Sequence, residues 1–242
     1  MELQLNARYF RDHSINNQPA SYAYEKLSLD IEKTAFLLVD VYSVDDFGQT
    51  LEQAPGKQAR MWWNVINNIS EALKCVRRTP IPIIYMANSS PDIQINNSAF
   101  GKLTKRVWNS NSDKAFEQIK YPLQVQPLPN EYCLEKHLYS SFFDTKLDSM
   151  LRNKGITNII GVGFWANVCL LATSLDAFYR NYNVIWIRDC TLAAEDTSEG
   201  ENWNSTQEET TCFFIKLFER IIGYSISKDE FVQSCSKIEK AW

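Results

Sequence analysis

The stretch Asn158-Ile-Ile-Gly-Val-Gly-Phe-Trp-Ala-Asn-Val-Cys169, continued by Leu170-Leu-Ala-Thr-Ser-Leu-Asp-Ala-Phe-Tyr-Arg180, decides the fold. Its first half is an apolar run that begins after a Lys154-Gly155 turn signal, the pattern of a strand buried in a parallel sheet. Small residues around Gly163 and Ala166 make the turn. Ala172, Thr173, Asp176, Ala177 and Arg180 then recur at helical spacing. Cys169 therefore falls in the first turn of a helix, just past a strand end. A helix N-terminus favours the thiolate there and aims backbone N–H groups at whatever the sulfur attacks. The competing reading is a buried structural cysteine. Strand-to-helix turns of open sheets are ordinary ligand sites, which keeps the nucleophile reading open.

Working outward, the same strand-then-helix alternation repeats along the chain. Thr34-Ala-Phe-Leu-Leu-Val-Asp40 is a compact apolar run closing on a carboxylate, the form of a first buried strand. Its acid either faces a ligand or caps the next turn. Residues 59–78 carry Met61, Trp62, Val65, Ile66, Ile69, Leu73 and Val76 at helical spacing. Residues 80–87 form a second strand, with prolines at its start where they are tolerated. Residues 131–136 are a short third strand ending on Lys136, which alone reads as a solvated charge. Leu147, Met150 and Leu151 mark the inner face of a helix that Gly155 stops. The stretch 183–189 is a fifth strand, again closing on an acid. Residues 206–222 are the last long helix, with Phe213, Phe214, Leu217, Phe218 and Ile221 expected inward. Residues 224–227 read as a short edge strand. Residues 88–129 are the least regular part, with short helices expected at 102–107 and 113–119. A segment so long covers a substrate or contacts another subunit.

This alternation predicts an α/β protein: a doubly wound three-layer sandwich with a mainly parallel sheet of strand order 3-2-1-4-5-6. Residues 1–30 lack clear periodicity and read as an N-terminal arm. Residues 31–242 read as one domain, with no repeat or linker to divide it. In that strand order the first and fourth strands meet at the topological switch, which brings Asp40 and Cys169 together with Lys136 nearby.

Composition narrows the function. The chain has 242 residues, 45% of them hydrophobic, and a net charge of −4, so no basic footprint for nucleic acid is present. No apolar run is long enough for a membrane helix. The start lacks the apolar core of a signal peptide. The six cysteines are scattered without a CxxC pair and read as reduced thiols of a cytoplasmic protein.

Val39-Asp40 after an apolar strand, Glu135-Lys136 before Tyr139-Ser-Ser-Phe-Phe143, Gly163-Phe-Trp-Ala-Asn-Val-Cys169 with Thr173 and Asp176-Ala177, and Val184-Ile-Trp-Ile-Arg-Asp189-Cys-Thr resemble the isochorismatase-like cysteine hydrolases. The resemblance runs over residues 33–225 and is nearest to the ureidoacrylate and biuret amidohydrolase type. It implies an Asp-Lys-Cys triad of Asp40, Lys136 and Cys169. It also implies a cis peptide at Phe164-Trp165, with the Trp165 and Cys169 N–H groups as an oxyanion hole. It implies a homo-oligomer, dimer or tetramer, acting on a small amide or ureide. Tyr42 stands where the family often has Gln or Asn, and Ala166 where it often has Thr. The metal site of the nicotinamidase branch needs several His, and this chain has only His13 and His137, so no metal or other cofactor is expected. Tyr42, Phe47, Trp108, Phe164, Trp165 and Trp203 are candidate pocket walls, and Asn88, Asn167 and Gln207 candidate binders of a urea-like group. The expected activity is hydrolysis of a C–N bond through a thioester. The alternatives are a catalytically silent scaffold of the same fold and a hydrolase of another acyl substrate.

Overall fold

In a computed structural model, residues 1–15, 19–42, 57–89, 97–108, 120–194 and 206–239 are described. The strands are β1 (Glu2–Arg11), β2 (Ser21–Asp30), β3 (Thr34–Val39), β4 (Ile83–Asn88), β5 (Tyr132–Lys136), β6 (Asn158–Phe164), β7 (Asn183–Leu192) and β8 (Tyr224–Ile226). The helices are α1 (Lys57–Val76), α2 (Ala99–Trp108), α3 (Leu147–Asn153), α4 (Cys169–Tyr179), α5 (Gln207–Ile221) and α6 (Lys228–Glu239).

All eight strands form one sheet in the order β2-β1-β8-β7-β6-β3-β4-β5. The segment from β8 to β5 is parallel and reads 3-2-1-4-5-6 when its strands are counted along the chain. Neighbours β3 and β6 pair from Thr34 with Asn158 to Val39 with Gly163. The chain leaves β3 toward β4 on one side and β6 toward β7 on the other, so the switch point lies at their C-terminal ends. Strands β3 and β6 are buried along their whole length because both faces are covered. On one face α1 and α6 supply Trp62, Ile66, Leu73, Phe231 and Ile238, and Phe36 of β3 stacks on Phe231 with centroids 5.9 Å apart. On the other face α3, α4 and α5 supply Leu147, Leu170, Ile215 and Phe218, the last stacked on Trp186 of β7.

Four elements differ from the sequence reading. Residues 1–30, expected as an arm, form the antiparallel hairpin β1–β2, which extends the sheet past β8. The alternation Leu3, Leu5, Ala7, all buried, is the signal for it. Consequently β8 is an inner strand and not an edge. The fifth strand does not stop at Asp189 but continues to Leu192 after a register shift between Gly161 and Gly163 of its neighbour. Helix α6 begins at a capping box, in which Glu230 N–H donates to Ser227 Oγ and the Glu230 carboxylate accepts from Ser227 N–H. The motif Ser227-Lys-Asp-Glu230 was visible in the sequence and announces this helix.

Helix α5 is rotated from the expected face. Phe218 is buried and Phe214 packs against the core as expected, but Phe213 and Ile221 are exposed, and Gln207, Thr211, Ile215 and Glu219 are buried. The polar members have partners inside. Gln207 Nε2 donates to Ala193 O at 2.9 Å, and Glu219 Oε1 accepts from Arg8 Nε of β1 at 2.8 Å. A count of apolar residues alone therefore selects the wrong stripe. No described helix is long and apolar enough to cross a membrane.

Candidate active site

The site begins with three chain ends brought side by side by the sheet. Asp40 follows β3, Lys136 closes β5, and Cys169 opens α4. Asp40 takes a left-handed backbone, φ 52°, and its N–H donates to Met86 O at 2.8 Å. Aspartate tolerates that conformation better than most side chains. Gly163 sits beside it at φ +115°, where an added Cβ would lie 2.0 Å from Val39 O. Only glycine lets β6 approach β3 so closely.

Lys136 is 0% exposed, Asp40 7% and Cys169 6%. Lys136 Nζ lies 2.9 Å from Asp40 Oδ2. It also donates to Asn88 Oδ1 at 2.5 Å and to Leu138 O at 3.2 Å. The Cys169 thiol lies close enough to the Asp40 carboxylate and the Lys136 ammonium for both charges to act on it. Asp40 Oδ1 is buried with no hydrogen-bond partner among the described residues. Burial disfavours the Lys136 charge, but Asp40 and Cys169 outweigh burial and hold the ammonium above its usual range. For Cys169 the balance goes the other way. Burial and then the Asp40 charge push the thiol well above its usual range, against the lowering effect of Lys136. A thiolate favoured by the helix N-terminus is therefore corrected to a resting thiol. Desolvation of a nearly enclosed sulfur exceeds the partial charge of one helix end.

Two further contacts tie the Lys136 loop to the Cys169 helix. Ser141 N–H donates to Thr173 Oγ1 at 3.0 Å, and Thr173 Oγ1 donates to Ser141 Oγ at 3.0 Å. Ser140 Oγ donates to Asp176 Oδ2, and Arg180 holds Asp176 Oδ1 at 2.9 Å. The serine pair and the Thr173 and Asp176 positions thus fix two distant segments to each other.

The peptide bond Phe164-Trp165 is cis. Val168 and Leu170 N–H groups donate to Trp165 O. Among the described residues, the N–H groups of Trp165 and Cys169 have no acceptor.

The expected pocket residues separate into groups. Phe164 is core: it is 2% exposed and stacks on Trp62 of α1 at 6.1 Å. Trp165 is half-buried beside it. Asn167 binds the chain after β7 at both ends of its amide, accepting from Ala194 N–H at 2.8 Å and donating to Ala194 O at 3.3 Å. Gln207 holds Ala193 O from α5. Asn88 and Tyr42 adjoin Lys136, with Asn88 Nδ2 donating to Tyr42 Oη at 2.9 Å. Phe47, Trp203 and the side chain of Trp108 lie outside the described residues, as do residues 113–119. Asp189, the acid of the resembling final motif, is turned away from the cluster and accepts from Lys228 N–H at 2.7 Å, capping α6. His137 Nδ1 bonds Ser89 Oγ at 2.9 Å. Leu138 O and Asn88 are partners of Lys136 that no motif in the sequence assigns to it.

Fold and site together define a doubly wound α/β protein with a buried Asp-Lys-Cys cluster at its switch point. The isochorismatase domain model matches residues 34–212, and the chain belongs to the isochorismatase family. It is 31% identical over 193 residues to the ureidoacrylate amidohydrolase RutB of Acinetobacter baylyi, covering 70% of this chain and 75% of that one. It is 27% identical over 241 residues to RutB of Pseudomonas savastanoi pv. phaseolicola, covering 92% and 93%. Among solved structures, N-carbamoylsarcosine amidase from Thermoplasma acidophilum is similar with a TM-score of 0.60 and 25% identity, covering 81% of this chain and 97% of that one. A cysteine hydrolase from Pseudomonas syringae pv. phaseolicola shares the fold, with a TM-score of 0.71 at 19% identity over 86% and 95% of the two chains.

Proposed function

We propose that this protein hydrolyses the C–N bond of a small linear amide, ureide or carbamoyl compound, with Cys169 as nucleophile, Asp40 as proton carrier and Lys136 as their charge partner. The observation that carries this reading is the buried 2.9 Å Lys136–Asp40 pair beside Cys169, with the second Asp40 oxygen buried and unpartnered among the described residues. The relatives named for ureidoacrylate and N-carbamoylsarcosine support the substrate class.

In the first half-reaction Cys169 Sγ attacks the substrate carbonyl while its proton passes to Asp40 Oδ1. The negative charge on the carbonyl oxygen is met by the Trp165 and Cys169 N–H groups. The tetrahedral centre collapses, the C–N bond breaks, and Asp40 returns the proton to the departing nitrogen. A thioester remains. Water then adds to it, giving a proton to Asp40; the C–S bond breaks and the sulfur recovers that proton. Lys136 pairs with Asp40 in the enclosed site and offsets charge on the sulfur. A thiol above its usual range suits this order, because the proton leaves as attack begins. A cytoplasmic homo-oligomer acting without a cofactor belongs to the same proposal.

The test is ammonia release from a panel containing ureidoacrylate, N-carbamoylsarcosine and biuret, with mass spectrometry of the quenched protein. The expected result is turnover of at least one compound, an acyl adduct on Cys169, and no turnover by Cys169→Ala. Turnover that survives Cys169→Ala, or none by the wild type on any compound, would overturn it. Cleavage of simple esters or thioesters with no amide turned over would favour the other acyl-substrate reading.

A further inference from the structure

An ammonium has three hydrogens and accepts nothing. Around Lys136 Nζ stand Asp40 Oδ2, Asn88 Oδ1 and Leu138 O, one acceptor for each hydrogen. The direction of each contact therefore matters. Because lysine only donates, the Asn88 amide must present its oxygen to it. The amide NH2 is then turned away and donates to Tyr42 Oη at 2.9 Å. If the amide flipped, its NH2 would face a buried cation.

These contacts close a ring. Asn88 and Lys136 are register partners in the β4–β5 pair. Tyr42 lies two residues beyond Asp40, at the end of the neighbouring strand β3. The path runs Tyr42, Asn88, Lys136, Asp40 and back along the chain to Tyr42. Three adjacent strand ends are locked by side chains of which only two have a chemical task in the reaction proposed above.

We propose that Asn88 is a positioning residue for that hydrolysis and that the Tyr42 hydroxyl sets the direction of its amide, so that Lys136 grips Asp40 Oδ2 and leaves Oδ1 to the sulfur. The inference rests on the hydrolase reading of the site. It assigns the polar ends of both side chains to Lys136 and to each other, not to the substrate. Tyr42 occupies the position where the resembling family often carries Gln or Asn, so this chain meets the demand for a polar group there with a phenol.

The test uses the full chain in a Cys133→Ser, Cys212→Ser background, because those two cysteines are exposed. Tyr42→Phe removes a single oxygen, so it tests the relay even where Asn88→Ala fails to fold. The first readout is the pH profile of Cys169 alkylation by iodoacetamide, located by peptide mass. Lys136 is the group that lowers this thiol, so loosening it moves the midpoint upward in Tyr42→Phe and further in Asn88→Ala. An unmoved or lowered midpoint overturns the proposal.

The second readout is steady-state hydrolysis of whichever panel ureide the wild type turns over. With one hydrogen bond to a charged group lost, kcat falls roughly 10- to 100-fold in Asn88→Ala, and about fivefold in Tyr42→Phe. KM stays within about twofold, since neither residue binds substrate. The double variant is no slower than Asn88→Ala alone. A raised KM at unchanged kcat, or losses that multiply in the double variant, overturn the relay. If the wild type turns over no panel compound, the hydrolase reading fails and the alkylation profile alone decides whether the relay exists.

Discussion

Replacing Asp40 by Asn moves two measurable quantities in opposite directions. Asparagine has nearly the same shape and tolerates the φ of 52° found at this position, so the backbone is not put under new strain. What changes is charge. Lys136, 0% exposed, loses the anion at 2.9 Å and keeps only neutral acceptors. Removing one member of a buried pair costs about 3–5 kcal/mol. In a chain of this size that lowers Tm by roughly 6–20 °C. The oxygen that takes the proton is also lost, and with it general-base catalysis, a fall of roughly 10²- to 10⁴-fold in kcat. Yet the thiol becomes easier to ionise, because the Asp40 charge is one of the two causes that push it up. Burial remains and Lys136 now acts on the sulfur unopposed. At pH 7, iodoacetamide alkylation of Cys169 therefore accelerates on the order of tenfold while hydrolysis collapses. The assays are stopped-time peptide mapping for alkylation and ammonia release for turnover, on the same preparation. If alkylation slowed together with turnover, Asp40 would be assisting ionisation of the thiol and not opposing it, and the charge balance argued here would be wrong.

Thr173→Val leaves the Ser141 N–H buried without its acceptor and unties the Lys136 loop from α4; it should cost about 1–3 kcal/mol in chemical denaturation, and an unchanged midpoint would exclude the tie. Gly163→Ala places a Cβ 2.0 Å from Val39 O at φ +115°, so expression should yield no folded protein, or one weakened by more than about 4 kcal/mol. Alkaline pH should destabilise the fold. Burial raises the thiols of Cys169 and Cys190 well above 9.0, so below pH 9 both folded and unfolded states hold the proton, and above it the unfolded state alone ionises. Each thiol then removes about 1.4 kcal/mol of stability per pH unit until its folded pKa is reached, and Cys190→Ala should shed its share of that slope. A stability that stays flat from pH 8.5 to 10.5 would contradict the burial of both thiols.

Several errors of the sequence reading share a cause. Residues 1–30 were judged irregular although Leu3, Leu5 and Ala7 alternate, because the hairpin draws its partner surface from β8, more than two hundred residues away. The buried stripe of α5 differs because Gln207, Thr211 and Glu219 are inside, each bonded to a group from another element. Polar residues count as outward only while their partners are unknown. Phe164 was read as pocket wall and is core, because Trp62 of α1 lies over it. At Cys169 the helix end is one favourable field, and desolvation, which depends on neighbours distant in the chain, opposes it.

What the sequence determined by itself is local and periodic. Apolar runs of strand length, helical stripes such as Trp62, Ile66, Ile69 and Leu73, and turn glycines fix the alternation of strands and helices. The rules of parallel sheets then leave few arrangements, so the switch point and the meeting of residues 40, 136 and 169 follow. What only the tertiary structure decided is how charge and polarity are balanced within that meeting. The raised Cys169 thiol depends on burial, and the capture of Asn88 by Lys136 and the tie from Thr173 to Ser141 depend on distances of about 3 Å between groups distant in the chain. Hydrogen bonds and desolvation are decided by neighbours in space, and periodicity along the chain carries no record of them.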